Sequence, residues 1–344
     1  MKCIILLTDY KGFFGSKQKS KIYRGGMDIS RITDFFSKSG YQTTIMPLNE
    51  VTNTKYDKEK AIFIYTSAED KSGLYKSFIE DIIFHLEEQE YKVIPAFRFL
   101  KAHNNKVAME LLRSRCQNND INSLQSQVFG SLNDLTKSMI KFAYPVVVKK
   151  AAGAMGRGVF LAKNEEELKK FAKKASGSFC LKHDVKEILR KMKYRNKYFP
   201  ESFYRNKFIL QNYIPDMKND WKVLVYWNKT YVLFRGNRKN DFRASGSGNF
   251  EFKKKLPEGL LDYALSVRNY FNVPHISLDI GFDGKRFHLF EFQFLNFGTT
   301  TLEKAPHYYE KIAGTWRLVT GESDLEEIYV DSIVNFIRTK KYLA

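Results

Sequence analysis

The stretch Tyr-Pro-Val-Val-Val-Lys-Lys-Ala-Ala-Gly-Ala-Met-Gly-Arg-Gly-Val-Phe-Leu, residues 144–161, joins two apolar runs through a glycine-rich loop. The apolar runs predict two strands. Gly153, Gly156 and Gly158 let backbone N–H groups converge on an anion, because no Cβ stands in the way. Lys149 ends the first strand and adds a positive charge beside the loop. This pattern is typical of a loop that covers nucleotide phosphates, although a plain β-hairpin has a similar composition.

This glycine loop differs from two common phosphate-binding motifs. The phosphate loop of many nucleotide hydrolases needs Gly-Lys-Ser/Thr at the start of a helix, and the dinucleotide fingerprint also leads into a helix. Here the residues after Gly158 are apolar and predict a strand. The sequence therefore indicates a nucleotide site of another architecture.

Length and composition limit the class of protein. A chain of 344 residues with 43% hydrophobic residues is large enough for two or three packed subdomains. No apolar run approaches the roughly 20 residues of a membrane-spanning helix. The run at 3–7 is too short for the core of a signal peptide and predicts a buried first strand. We therefore expect a cytoplasmic protein.

The net charge of +19 is the main indication of another function. A strongly basic protein attracts nucleic acid, anionic lipid or acidic substrates before any specific contact forms. Aromatic residues alternate with basic ones in the dense segment 182–207, as in proteins that stack bases. A solvated helix with an aromatic underside explains the same pattern. Binding of nucleic acid or of an acidic polymer is therefore the alternative function.

Hydrophobic periodicity predicts an α/β segment followed by α+β segments. In the first hundred residues, strands are expected at 2–8, 42–46, 61–65 and 92–94, and helices at 29–39 and 74–89, as in an open parallel layer. Further on, helices are expected at 104–115, 132–141, 165–175 and 260–271, strands at 159–162, 208–213, 221–226, 231–235, 276–282 and 287–294, and two helices at the carboxyl end. A parallel layer binds ligands beyond the carboxyl ends of its strands. Arg24 lies in such a loop, which is either a substrate site or a surface loop.

A hairpin at residues 275–293 carries polar groups between apolar neighbours. Strand periodicity places Glu291 and Gln293 on one face. Buried carboxylates are costly unless they are paired, so Asp279 and Glu291 require a cation. Hard oxygen ligands of this kind suit Mg²⁺ that bridges nucleotide phosphates. The alternative is that these residues end a strand and face solvent.

The order of these motifs resembles that of the ATP-grasp ligases, in particular the D-alanine:D-alanine ligase and ribosomal-protein glutamate ligase types. The resemblance covers residues 104–298 and includes Lys106 before Met109, Lys149 and its glycine loop, Gln211 to Pro215, Asp220 to Val225, Arg235, Asp241 to Arg243, and Asp279 with Glu291 to Gln293. It implies an ATP-grasp fold, α/β and α+β, with an open parallel α/β domain at 1–103. A small subdomain with the glycine loop and a basic insertion would follow at 104–215, and a subdomain with the metal site at 216–344.

The resemblance also implies roles for particular residues. Lys106 and Lys149 would contact the phosphates of ATP, with Gly153, Gly156 and Gly158 in the loop above them. Backbone groups near Gln211, Tyr213 and Ile214 would read the adenine edge, and Asp220 would lie near the ribose or the hinge. Arg243 and Arg235 would face the transferred phosphate, and Asp279, Glu291 and Gln293 would hold Mg²⁺.

Gln293 departs from the family pattern, which usually has asparagine there. Glutamine carries the same amide oxygen one methylene farther out, so the metal geometry could shift. Asn296 is close enough in sequence to take over the ligand role. The sequence leaves both residues as candidates.

The function implied by the resemblance is an ATP-dependent carboxylate–amine ligase with an acyl-phosphate intermediate. Its partners would be a small-molecule or peptide carboxylate and an amine, without nucleic acid, and homodimers are common among such enzymes. The basic surplus favours an acidic substrate, such as a uronic-acid sugar, an acidic peptide or a precursor of a surface polymer. The alternatives are a basic binding protein on an ATP-grasp scaffold and an ATP-grasp kinase.

Overall fold

The computed structural model describes residues 2–53, 55–153, 156–239, 241–244 and 246–340. The chain forms two compact units. Unit 1 consists of Met1–His103 together with Met217–Ala344, and unit 2 consists of Asn104–Asp216. The division into functional segments at 1–103, 104–215 and 216–344 stays a prediction.

A four-stranded parallel sheet occupies the amino-terminal part of unit 1. Its strands are β1 (Cys3–Thr8), β2 (Gln42–Pro47), β3 (Ala61–Tyr65) and β4 (Lys92–Ile94), in the order β2-β1-β3-β4. The accompanying helices are α1 (Ile29–Lys38), α2 (Leu74–Glu88) and α3 (Phe97–Ala102). Strand β3 is buried along its whole length and β1 along nearly all of it, as expected for apolar parallel strands that are covered on both faces. The open parallel α/β layer expected from the sequence is confirmed.

Unit 2 is built on an antiparallel sheet that has helices on both faces. Its strands are β5 (Ser126–Phe129), β6 (Val146–Lys150), β7 (Val159–Ala162) and β8 (Phe208–Asn212), in the order β5-β8-β6-β7. Its helices are α4 (Lys106–Arg113), α5 (Leu132–Thr136), α6 (Glu165–Ser176) and α7 (Leu181–Tyr194). Helix α6 begins where the Asn164 side chain accepts a hydrogen bond from Glu167 N (2.9 Å). Val146, Val148 and Leu210 pack against α5 and α6, so this core takes one face of the sheet. The other face, where α4 lies, mixes the apolar Val147 and Ile209 with the polar Lys149 and Gln211.

A second sheet of unit 1 lies in the carboxyl-terminal part of the chain. Its strands are β9 (Asn219–Tyr226), β10 (Lys229–Gly236), β11 (Phe250–Glu251), β12 (His275–Phe282), β13 (Phe287–Gln293), β14 (His307–Ile312) and β15 (Thr315–Thr320). Six of them run in the order β13-β12-β9-β10-β14-β15, and β11 pairs with β10. The helices are α8 (Leu260–Phe271), α9 (Thr300–Glu303) and α10 (Leu325–Lys340). Leu224 of β9 shares one core with Ile4 of β1 and Ile333 of α10.

The hairpin formed by β14 and β15 differs from the expectation of two helices at the carboxyl end. Only a short helix, α9, precedes this hairpin, and α10 follows it. The strands meet at Ala313 and Gly314, which both have positive φ, +47° and +85°. Two successive residues of positive φ form the turn whose twist matches that of a hairpin. Ala-Gly is a weaker sequence signal for such a turn than Asn-Gly or Asp-Gly.

No helix in the described part of the chain is both long enough and apolar enough to span a membrane. This agrees with the hydropathy of the sequence.

His275 is an unusual polar group in the core of unit 1. Its ring is 4% exposed and lies 5.0 to 5.9 Å from the rings of Tyr329, Tyr226 and Phe297. The hydroxyl of Ser332 donates to a backbone carbonyl, so His275 Nδ1–H donates to Ser332 Oγ (3.1 Å). Burial, with a smaller contribution from the positive charge of Arg268, lowers the pKa of His275 to about 3.

We expect this neutral histidine to make unit 1 sensitive to acid. The unfolded chain takes up a proton at His275 below about pH 6.5, whereas the folded chain does so only near pH 3. As the pH falls from about 6.5 to about 3, the free energy of unfolding therefore decreases by up to about 1.4 kcal/mol per pH unit. His275→Phe should reduce the slope of unfolding free energy against pH in that window, as measured by urea unfolding. Equal slopes for the two proteins would contradict this assignment.

Candidate active site

A row of charged side chains crosses one face of the large sheet in unit 1. The strand register places Arg235 opposite Asp220, Lys222 opposite Asp279, and Asp279 opposite Glu291. Directly opposed residues of antiparallel strands point to the same face, and so do residues two apart in one strand. The five side chains therefore share one face across β10, β9, β12 and β13.

The guanidinium of Arg235 joins two carboxylates within this row. Its Nε and Nη2 donate to Asp220 Oδ1 (2.6 Å) and Oδ2 (2.7 Å), and Nη2 also lies 2.9 Å from Asp279 Oδ2. Lys222 Nζ lies 2.9 Å from Asp279 Oδ1. Arg235 and Asp220 are only 8% and 7% exposed, so the ion pairs are largely screened from water. Two cations thus pair with one buried and one half-buried carboxylate.

The two carboxylates titrate in opposite directions. Burial raises the pKa of Asp220, and the neighbouring carboxylate of Asp279 acts in the same direction against the attraction of Arg235. Burial alone would also raise the pKa of Asp279, but Arg235 and Lys222 together hold it well below its ordinary value. Asp279 is therefore the carboxylate that stays ionised at neutral pH and below.

Oxygen donors extend the row beyond Asp279. Gln293 lies opposite Ser277, on the same face as Glu291, and both Glu291 and Gln293 are half-buried. The register shifts next to Asp279, which is a β-bulge of the kind often found beside active sites. The hydroxyl of Ser277 is buried without a hydrogen-bond partner among the described residues. This face thus offers polar atoms that a ligand could use.

These donors fit Mg²⁺ in chemical type. Carboxylate and amide oxygens are the protein ligands that Mg²⁺ prefers. A carboxylate can accept at about four positions, so the two ion pairs of Asp279 leave it capacity for a metal. Glu291 adds a further carboxylate opposite Asp279. Within the described ranges, no group of three or more His, Cys, Asp or Glu residues could hold a metal by itself, so a metal here would also need amide, water or phosphate oxygens.

Arg243, the other arginine expected at the transferred phosphate, lies in the loop after β10. Its Nε and Nη2 contact the carboxylate of Asp241 at 2.6 to 2.9 Å. The hydrogen bonds from Arg243 lower the pKa of Asp241. About a quarter of the Arg243 side chain is exposed, in contrast to Arg235.

Unit 2 carries its own polar face, opposite the core formed with α5 and α6. Lys149 of β6 and Gln211 of β8 point to this face, because their strand neighbours Val148 and Leu210 face the core. Lys149 is 8% exposed and Gln211 is 2% exposed. A buried ammonium next to a backbone strand end is a suitable group for binding phosphate.

The side chain of Gln211 is oriented by a buried ion pair. Gln211 Nε2 donates to Glu110 Oε1 (3.4 Å), and Glu110 forms a bidentate ion pair with Arg113. Glu110 and Arg113 are only 2% and 1% exposed. The pair therefore fixes α4 against β8, the strand expected to bind adenine. Tyr213 and Ile214 follow at the half-buried end of this strand.

Lys106 contacts the glycine loop directly. Its Nζ donates to Gly153 O (3.1 Å), its backbone N–H donates to Ala151 O (2.8 Å), and Gly153 N donates to Asn104 Oδ1 (2.9 Å). Helix α4 begins at Lys106, after the Asn105 side chain accepts from Ala108 N. The start of α4 thus places an ammonium group at the loop.

The loop itself requires glycine at two positions. Gly153 and Gly156 have φ of +125° and +67°, which side chains with a Cβ rarely adopt. A Cβ on Gly158 would lie 3.0 Å from the side chain of Lys150. Ala154 and Met155 lie outside the described residues.

The expected site residues therefore form two groups, one in each unit. Unit 2 brings together Lys106, Lys149, Gly153, Gly156, Gly158 and Gln211, and unit 1 brings together Asp220, Arg235, Asp279, Glu291 and Gln293. Lys222 had no expected role, although its position two residues after Asp220 indicated a shared face. Glu110 and Arg113 were also missed, because only the tertiary fold reveals their burial. The individual roles of all these residues stay predictions.

Known protein families and structures resemble this chain. The model of the RimK-like ATP-grasp domain matches residues 102–304, more than half of the chain. None of the curated proteins matches the sequence.

Several solved structures share the fold at low sequence identity. A RiPP-associated ATP-grasp ligase of Chryseobacterium gregarium, in complex with ADP and a leader and core peptide, is 11% identical over 99% of this chain and 97% of its own, with a TM-score of 0.54. The ADP complex of purK, an N5-carboxyaminoimidazole ribonucleotide synthetase, is 10% identical over 97% and 77%, with a TM-score of 0.53. The macrocyclase MdnC of Microcystis aeruginosa MRC, bound with precursor peptide MdnA, is 9% identical over 97% and 99%, with a TM-score of 0.50. Likeness at this identity shows the fold alone.

We expect the two arginines of unit 1 to differ in their effect on stability. Arg235→Met leaves two carboxylates in a buried row without their shared partner and should lower the free energy of unfolding by about 3 to 5 kcal/mol. Arg243→Met breaks a more exposed pair and should change it by less than about 1 kcal/mol. Urea unfolding at pH 7 measures both values. Equal losses in the two variants would contradict a structural role for the row.

Proposed function

Because the chain belongs to the RimK-like ATP-grasp family, we propose that it is an ATP-dependent ligase that joins a carboxylate to an amine. The family and the ATP-grasp fold expected from the order of the motifs are confirmed by this match. The reaction, the cofactors and the residue roles below belong to the proposal.

One observation carries the proposal most directly. A single family match, at residues 102–304, contains the buried Lys149, the glycine loop with its positive φ angles, and the opposed carboxylates of Asp279 and Glu291. Lys149 and the glycine loop have the chemistry to bind the phosphates of a nucleoside triphosphate, and the two carboxylates have the chemistry to bind its metal. Phosphoryl transfer needs charge neutralisation and positioning more than covalent help from the protein.

The proposed reaction has two steps. A carboxylate oxygen of the substrate attacks the γ-phosphorus of ATP, the bond to ADP breaks, and an acyl phosphate forms. An amine then attacks the carbonyl carbon and loses a proton, and orthophosphate leaves. The products are an amide, ADP and phosphate, which balances the reaction.

Unit 2 supplies the phosphate-binding groups in this proposal. Lys106 and Lys149 neutralise the phosphates, and the N–H groups of the glycine loop donate to them. The backbone at Gln211, Tyr213 and Ile214 reads adenine. The buried Glu110–Arg113 pair supports this assignment, because Glu110 orients the side chain of Gln211 in β8.

Unit 1 supplies the metal site and the groups for the transferred phosphate. Asp279, Glu291 and either Gln293 or Asn296 hold Mg²⁺, which when bound neutralises negative charge on the phosphates. Arg235 keeps Asp279 ionised and oriented, and Asp220 holds Arg235. Arg243, which is more exposed, is the better candidate for contact with the transferred phosphate.

The substrate carboxylate in this proposal belongs to an acidic peptide or an acidic sugar. The net charge of +19 supports an anionic substrate. A peptide is further supported by the structures from Chryseobacterium gregarium and Microcystis aeruginosa MRC, which hold peptides. A cytoplasmic location and a homodimer stay predictions.

We expect Lys149 to matter for nucleotide binding and its neighbour not to. Lys149→Ala removes a buried ammonium and should weaken binding of Mg²⁺ with a non-hydrolysable ATP analogue by about tenfold or more, measured by calorimetry. Lys150→Ala is the matched control, because Lys150 is exposed and its side chain is directed away from the face of Lys149. Equal affinities for the wild type and Lys149→Ala would refute the assignment.

The ligase chemistry has its own readout. With deproteinised cell extract as the source of carboxylates and amines, the wild type should release ADP and free orthophosphate, and carboxylates labelled with ¹⁸O should transfer one label to the phosphate. Glu291→Gln should lower the rate by about a hundredfold or more, and Glu251→Gln, on an exposed strand, should not. Recovery of the γ-phosphate on a stable acceptor would instead identify a kinase.

The metal site can be resolved by comparing two substitutions. Gln293→Leu should raise the Mg²⁺ concentration needed for half-maximal nucleotide binding by about tenfold if Gln293 is the ligand. Asn296→Gly tests the alternative, since Asn296 has a φ of +53° that glycine tolerates. If neither variant changes the Mg²⁺ dependence, no amide at these positions binds the metal.

A further inference from the structure

Helix α7 of unit 2 buries acidic side chains and exposes apolar ones, which is the reverse of an ordinary surface helix. An amphipathic helix normally buries its apolar stripe and exposes its charges. In α7 the two buried residues are the acidic Asp184 and Glu187, which are 2% and 1% exposed. Its large apolar side chains point to solvent.

Polar contacts hold the inner side of α7. Asp184 Oδ2 accepts from Cys180 N (2.7 Å) and thereby caps the start of the helix. Glu187 Oε2 accepts from Glu201 N (3.0 Å) and from the hydroxyl of Tyr198. Together with the ion pair between Arg190 Nη1 and Glu187 Oε1 (2.6 Å), these bonds satisfy both buried carboxylates.

The outer side of α7 carries a continuous apolar stripe. Leu181, Val185, Ile188, Leu189 and Met192 are 46% to 68% exposed. At 3.6 residues per turn they fall within an arc of about 100°. Phe199, after the helix, is 88% exposed. Contiguous exposed apolar surface of this kind marks an interaction site more often than chance exposure does.

Basic residues run along one side of the stripe. Lys182, Lys186 and Lys193 recur at spacings of four and seven residues and are all exposed. They therefore form a second row next to the apolar one. On the other side, Lys191 Nζ donates to the carbonyl oxygens of Arg195 and Tyr198 (both 3.0 Å). Three of the four lysines that flank the stripe are thus on one side of it.

We propose that this surface binds a peptide segment of a partner protein that has apolar side chains along one edge and aspartate or glutamate beside them. Two adjacent parallel rows, one apolar and one basic, complement such a segment in both shape and charge. A lipid surface has no preferred side, whereas the lysines that flank this stripe are concentrated on one side, three against one. A second copy would place the same lysines against each other on a chain of net charge +19. The proposal goes beyond the proposed ligase activity, because it requires neither ATP nor a metal.

Selection from a phage-displayed library of random 16-residue peptides tests the proposal on the full-length protein. The counter-selection uses the variant Ile188→Gln/Leu189→Gln/Met192→Gln, which keeps good helix formers on an exposed surface and should fold. We expect enriched peptides with apolar residues three or four apart and acidic residues next to them. Synthetic, dye-labelled copies should bind the wild type and lose at least about tenfold in affinity with the variant, by fluorescence anisotropy.

A charge-reversal variant tests the basic row separately. Lys182→Glu/Lys186→Glu/Lys193→Glu should weaken the selected peptides by at least about tenfold and reduce the salt dependence of binding. The matched control makes the same change in net charge on α6, at Lys170, Lys173 and Lys174, which are also exposed. Equal losses in both variants would mean that binding depends only on net charge, which would overturn the proposal.

The remaining outcomes also decide the question. No enrichment over the counter-selection, or enrichment of peptides without acidic residues, would overturn the proposal. Co-sedimentation with phosphatidylserine vesicles that is lost in the glutamine variant, without peptide binding, would identify a membrane surface instead. Self-association in sedimentation equilibrium that is lost in the same variant would identify a second copy. Nucleotide binding should be unchanged in both α7 variants, so failure here is distinct from failure of the ligase proposal.

Discussion

The guanidinium of Arg235 is the constraint on which the polar face of unit 1 depends. It binds Asp220 and Asp279 at once, and each carboxylate would be costly to bury without it. Because Asp279 also binds Lys222, four side chains on three strands fix one another's positions. The oxygens of Glu291 and Gln293 are held beside this group by the strand register. The charged side chains of this face are thus held in place by pairing with one another.

Unit 2 uses a related arrangement around different chemistry. The Glu110–Arg113 pair links α4 to Gln211 of β8, while Lys106, at the start of the same helix, contacts the glycine loop. Helix α4 therefore contacts both the strand expected to bind the base and the loop expected to bind phosphates. A change in the position of α4 would alter both. The core formed with α5 and α6 lies on the opposite side of the sheet, so Lys149 and Gln211 share this face with only a few apolar strand residues.

Local sequence patterns predicted most of the fold. The helix at 260–271 and the strands at 61–65, 92–94 and 159–162 agree with the structure to the residue, because buried apolar runs and clear breaks define them. The shared face of Glu291 and Gln293 followed from strand periodicity. The partners of Asp279 did not, since Lys222 and Arg235 come from strands more than forty residues away. The hairpin of β14 and β15 was missed because its many polar residues do not distinguish an edge hairpin from a surface helix.

Because α7 exposes its apolar side chains, its detachment from the rest of unit 2 differs from that of an ordinary helix. The helix is held by hydrogen bonds to Asp184 and Glu187, and its apolar side chains already contact water. Its detachment would therefore expose little additional apolar surface, and an opening of that kind depends only weakly on denaturant. We therefore expect α7 to open in a local step that is separate from the unfolding of unit 2 as a whole.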